Sequence, residues 1–175
     1  MKFTISDPVP LPPEEVFTLL RDEMSALVPH MPDTESIEVL SREEEGSEVR
    51  LINKWCASSE AVPQALRKVI KPELLSWKDH ATWSQETMAG RWRLEALTAN
   101  KLFSCTGVTS IKPHAQGSSL EIEVDLEIYP EQLPGVPKLL AKTIRGQVEK
   151  FLGQLLGDNM RQLSKSITSY AASRA

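Results

Sequence analysis

The chain has 175 residues, 41% of them hydrophobic and 25% charged, with a formal net charge of −4. This length and balance suit one globular domain that buries roughly 70% of its unfolded surface and stands without disulfides or a structural metal. Lysines and arginines are scattered, so no basic stripe marks a nucleic-acid face, and the mild negative charge disfavours all but transient contact with an anionic membrane. No run of about 18 apolar residues suggests a membrane span, and the first residues, Met1 to Asp7, lack the apolar core of a signal peptide. Cys56 and Cys105 stand far apart, which reads as two small buried thiols in a reducing compartment. The expectation is a cytoplasmic bacterial protein with a single domain over residues 1–175.

In chain order, Phe3 and Ile5 alternate with polar neighbours, which predicts a strand over 2–9. Four prolines between Pro8 and Pro13 stop it. Pro13-Glu14-Glu15 reads as a helix start, with proline in the first turn and acidic residues at the positive end of the helix dipole. Val16, Phe17, Leu19, Leu20, Met24 and Leu27 continue it at helical spacing until Pro29. Ser36 to Arg42 and Ser47 to Ala57 read as a hairpin around Glu43-Glu44-Glu45-Gly46. A short helix is expected over 63–70, between Pro63 and Pro72.

Leu75 to Glu86 alternates, with Trp77, Asp79, Ala81 and Trp83 on one face and Lys78, His80 and Thr82 on the other. Further strands are expected over 91–97, 102–111 and 120–128. In the last of these, Leu120, Ile122, Val124, Leu126 and Ile128 alternate with Glu121, Glu123, Asp125 and Glu127, the pattern of a sheet solvated on one side. From residue 136 to about 171 the period becomes helical, through Leu140, Ile144, Val148, Phe151, Leu155, Leu163, Ile167 and Tyr170. At 1.5 Å per residue such a helix is on the order of 50 Å long, so a bend at Gly153 or Gly157 is expected.

Hairpin-linked strands give an antiparallel meander whose apolar face must be covered, and the last helix is the element long enough to do it. The strand and proline-led helix at 2–28, the meander at 35–129 and the Pro134-Gly135-Val136-Pro137 start of the last helix together resemble the START-like helix-grip superfamily. This group includes lipid-transfer domains, polyketide cyclases and aromatases, and pollen-allergen-type ligand carriers. The resemblance spans nearly the whole chain and implies an α+β helix-grip fold. In that fold a curved antiparallel sheet of about seven strands wraps a long C-terminal helix around a hydrophobic cavity. It does not imply one activity, because such folds host many.

Candidate ligand-contacting residues are the four strand tryptophans Trp77, Trp83, Trp92 and Trp55, of which Trp77 and Trp83 share inward parity, as aromatic walls with an indole N–H to offer, Asp79 and the weaker case Asn53 as polar groups, and Leu140, Ile144 and Phe151 from the apolar stripe of the last helix. The alternative for each tryptophan is ordinary core packing or a surface aromatic on the convex face. Asp79 is the sharpest anomaly, since a carboxylate between Trp77 and Ala81 needs a partner or a raised pKa. It reads either as a polar anchor or as a structural ion pair with Arg91 or Arg93 on the next strand. A bulge turning Asp79 outward is a further option.

His30, His80 and His114 have no metal-ligand spacing, no Cys-x-x-Cys occurs, and no phosphate-binding glycine loop or nucleophile elbow is present. No metal, cofactor or catalytic residue is therefore expected. The leading functional expectation is a carrier or sensor of a hydrophobic small molecule or lipid. The alternatives are a cyclase- or aromatase-like enzyme using Asp79, and a protein-interaction module with a filled cavity.

Overall fold

The computed structural model describes residues 1–61, 75–97, 103–129, 146, 157, 158 and 160–174. Seven antiparallel strands form one sheet in the order β1-β7-β6-β5-β4-β3-β2. They are β1 (Lys2–Val9), β2 (Thr34–Glu45), β3 (Glu48–Ala57), β4 (Ser76–Ser84), β5 (Ala89–Ala96), β6 (Phe103–His114) and β7 (Gly117–Ile128). The expected meander is present, with β1 returning to pair along β7. The expected helix at 63–70, the turn near 99–100, and Leu140, Ile144 and Phe151 lie outside the described residues.

Helix α1 (Pro13–Asp22) begins as expected, with proline in the first turn and Glu14 and Glu15 behind it. It ends sooner than the apolar spacing suggests. Met24–His30 continues as a 3-10 helix containing Pro29, and Leu27 is fully buried from that tighter turn. Tertiary burial carries the periodicity on after α-helical geometry has stopped. Arg21 lies 5.0 Å above the Phe17 ring and pairs with Asp22, which also receives Arg42 of β2 at 2.8 Å. The two guanidinium groups hold the Asp22 carboxyl below its ordinary pKa despite partial burial.

The sheet alternates as the sequence implies. Leu120, Ile122, Val124, Leu126 and Ile128 are buried, and Glu121, Glu123, Asp125 and Glu127 lie on the opposite, solvated face. Two inward tryptophans lie over glycines on the next strand: Trp83 over Gly90, and Trp92 over Gly107. A Cβ on Gly107 would run into the Trp92 ring and the Glu123 carbonyl. β2 is one edge of the sheet, and its pairing with β3 shifts register between Val39 and Ser41, leaving Val39 and Leu40 exposed.

Helix α2, described over 160–174, runs three residues past its expected end. Ile167 is fully buried in the core cluster, with Met160, Leu163 and Tyr170 packed against that cluster. The polar side of the helix clasps the 3-10 turn. Ser166 Oγ donates to the His30 carbonyl at 2.9 Å, His30 Nδ1 lies 2.8 Å from Ser169 Oγ, and the His30 ring meets Tyr170 edge-on at 5.9 Å.

Replacing Ile167 with alanine deletes buried methyls where the helix is already pinned by its polar side and collapses poorly. The expected loss is about 2–4 kcal/mol, read as a lower urea midpoint with an unchanged slope. A loss below about 0.5 kcal/mol would show that α2 is not seated as described.

Candidate functional site

The inner face of the sheet divides into two ends. At the first end Val49, Leu51, Ala81, Trp83, Ile111 and Leu120 are buried. Phe17 of α1 meets Trp83 edge-on there, with centroids 5.5 Å apart and planes at 89°. At the second end Trp55, Trp77, Asp79, Leu94 and Phe103 keep intermediate exposure although their parity is inward, beside Asn53, Cys105, Leu126 and Ile128, which are buried. The change falls within single strands: along β4, Trp83 and Ala81 are buried, while Asp79 and Trp77 are half-buried.

The register builds the second end. Asn53 pairs directly with Asp79 and Trp55 with Trp77 across β3 and β4, and Leu94 follows on β5. The two indoles stack, with centroids 6.0 Å apart and planes at 14°. Such offset pairs add about 0.5–1.5 kcal/mol beyond their buried area. Asn53 is 3% exposed and faces inward beside Asp79.

Among the described residues, Asp79 is neither paired with a cation nor turned outward. Its registered neighbours show why. Arg91 aligns with Thr82 and Arg93 with His80, so both arginines occupy the opposite face, where they pair with Glu48 and Glu95. The ion-pair reading of Asp79 is thereby overturned, as is the outward bulge. The residue as a whole is half-buried, but its Oδ1 is shielded and completes no hydrogen bond with a described residue. Burial pushes the carboxyl up to about 7, against an opposing pull from the Asn53 and Trp55 side chains, and no charged group contributes. Trp55 is close enough to affect the carboxyl, yet its Nε1 is also buried without an aligned partner. Trp55 is thus a polar neighbour of Asp79 without an aligned bond to it. Cys105, two strands away, is driven up to about 12 by burial, then by Asp125 and Asp79, and is an inert thiol.

The other candidates fall elsewhere. Trp83 belongs to the sealed end. Trp92 is half-buried, but its Nε1 already donates to Thr109 Oγ1 at 3.0 Å, so it offers a wall and not a donor. Cys56 is half-buried on the outward face near Ser76, not within the core, and both cysteines are free. His80 faces out and binds Glu95 at 2.8 Å. Among the described residues no group of three His, Cys, Asp or Glu side chains is placed to hold a metal ion, and no helix is long and apolar enough to cross a membrane. The His30–Ser166 clasp was not foreseen. A histidine between two prolines gives no sequence signal that its carbonyl will anchor a helix more than 130 residues away.

The protonation of Asp79 sets a pH dependence. The folded carboxyl holds its proton to about pH 7, whereas an ordinary aspartate releases it near 3.8. Between those values the unfolded chain binds fewer protons, so stability falls as pH rises from about 4 to about 7. Asp79→Asn removes that loss. The variant should match the parent near pH 4 and exceed it by about 1–4 kcal/mol at pH 8, measured by urea denaturation across the range. Parallel pH profiles for the two proteins would refute the shift.

Known proteins share this geometry to differing degrees. A family model described as "Protein of unknown function (DUF2505)" matches residues 4–155. No protein of curated function matches the chain. Among solved structures, TTHA0849 from Thermus thermophilus is similar, with a TM-score of 0.70 at 19% identity, covering 100% of this chain and 99% of that one. The Zhui aromatase/cyclase from Streptomyces sp. R1128 has a TM-score of 0.63 at 12% identity, covering 99% and 93%. Ara h 8.0201 has a TM-score of 0.56 at 15% identity, covering 99% and 98%. At these identities the likeness establishes the helix-grip fold alone, a fold typical of proteins that bind hydrophobic ligands.

Proposed function

We propose that this chain, which belongs to the DUF2505 family, holds an apolar small molecule or lipid against the Asp79 end of the inner sheet face, as a carrier or sensor. One observation carries the reading. A stacked indole pair and a carboxyl with no counter-ion among the described residues share the half-buried end of a face whose other end is sealed. An uncompensated buried carboxyl lowers stability. Groups that cost the fold in this way concentrate at binding and catalytic sites. Apolar walls with a few polar groups between them are the usual composition of a small-molecule site.

To these contacts the proposal adds Leu140, Ile144 and Phe151, on the apolar stripe read from the sequence over 136–171. Free Cys56 and Cys105 support a reducing compartment such as the cytoplasm.

A second reading has its own support: an enzyme of the cyclase, aromatase or dehydratase kind. A carboxyl titrating near neutral pH is suited to general acid–base work, and the fold is shared with an aromatase/cyclase. In that reading Asp79 moves a proton to or from a bound intermediate, and Asp79→Asn abolishes turnover without loss of fold.

Native mass spectrometry and solvent extraction of the purified protein test the carrier reading directly, and a fluorescent probe quantifies it. N-phenyl-1-naphthylamine should bind. Trp77→Ala should weaken binding about 5- to 20-fold, the equivalent of about 1–2 kcal/mol of aromatic contact. Arg91→Ala, on the opposite face, should leave it unchanged. No retained compound and no probe binding would remove the proposal.

A further inference from the structure

Two polar atoms at the Asp79 end complete no aligned hydrogen bond among the described residues, although the Trp55 side chain is near enough to pull on the Asp79 carboxyl. Trp55 Nε1 and Asp79 Oδ1 are both shielded, and neither completes an aligned hydrogen bond. They are diagonal neighbours across β3 and β4, because Asn53 pairs with Asp79 and Trp55 with Trp77. An indole N–H only donates, and a carboxylate oxygen only accepts. Trp92 differs: its indole N–H lies on the same sheet face and is satisfied by Thr109. Orphaned buried groups are uncommon in folded proteins, and each weakens the fold until a partner arrives.

We infer that the bound molecule presents one neutral group that both donates and accepts, a hydroxyl being the simplest, seated between Trp55 Nε1 and Asp79 Oδ1, with its apolar body along Trp77 and Leu94. This deepens the ligand-holding function proposed above and rests on it. Ends that only accept, only donate or carry a charge satisfy at most one of the two atoms. An ether accepts from Trp55 and leaves Asp79 empty. A carboxylate meets Trp55 but sets its charge against Asp79. An ammonium suits Asp79 and turns a donor toward Trp55. A hydroxyl answers both with one atom. It also tolerates either protonation state of the carboxyl, since a protonated acid still offers acceptor capacity.

The experiment compares four probes of one shape by titration calorimetry at pH 7: 2-naphthol, 2-methoxynaphthalene, 2-naphthoic acid and 2-naphthylmethylamine. The expected result is 2-naphthol tightest, by about tenfold or more over the methoxy compound, because an unmet buried polar group penalises the analogue that lacks its partner. Trp55→Phe and Asp79→Leu should each shrink that ratio to below about threefold while leaving 2-methoxynaphthalene affinity nearly constant. Trp55→Phe should lower the thermal midpoint of the empty protein equally in the parent and in the Asp79→Leu background, since the lost stacking is common to both, whereas a structural Trp55–Asp79 bond would make the loss larger in the parent. Equal binding of 2-naphthol and its methyl ether overturns the inference, as does tighter binding of the acid or the amine, or a preference that survives both substitutions. Failure of all four probes overturns it as well. If N-phenyl-1-naphthylamine also fails to bind, the ligand-holding function beneath it falls too.

Discussion

The pairing register of β3 with β4 is the constraint on which the candidate site depends. It sets Asn53 opposite Asp79 and Trp55 opposite Trp77, and side chains in a strand alternate between faces with a period of two. A slip of one residue would exchange these four for Lys54, Cys56, Lys78 and His80, placing two lysines in the core and tryptophans in water. The register is held by what lies further along the same strands. Val49 and Leu51 on β3 and Ala81 and Trp83 on β4 are buried, and Trp83 is fixed by Phe17 on one side and Gly90 on the other. The sealed end therefore aligns the other one.

This division of labour explains how a buried carboxyl without a counter-ion survives. Helix α1 and the 3-10 turn after it close one end of the inner face, and α2 is pinned to that turn through His30. Val49, Leu51, Ala81, Trp83, Ile111 and Leu120 are buried there. Asp79, Asn53 and the two stacked indoles sit beyond it, where the cost of an unpaired polar group is borne by packing elsewhere. The arginines that would have neutralised Asp79 are turned away by the same alternation that turns Asp79 inward.

Much of this was legible in the sequence because it follows from periodicity. The alternation of residues 120–128, the inward set Trp77, Asp79 and Trp83, and the proline-led start of α1 all depend on local spacing, and the helix-grip fold follows from their order. What was not legible depends on partners distant in sequence. Whether Asp79 meets Arg91 or Arg93 is decided by the β4–β5 register, since a shift of one residue would have put an arginine on its face. The tryptophans looked alike as letters, yet Trp83 is sealed, Trp92 is bonded to Thr109, and Trp55 has an idle N–H. The end of α1 at Asp22 was hidden because the 3-10 turn buries Leu27 as effectively as a further helical turn would.

The irregularity at Leu40 bears on how this protein behaves among copies of itself. The outermost strand exposes Val39 and Leu40, and an unbroken ladder there would invite another chain to extend the sheet and begin aggregation. The register shift between Val39 and Ser41 interrupts that template, and the run of Glu43, Glu44 and Glu45 beyond it repels an identical strand by charge. Sheet growth is thus discouraged along that margin.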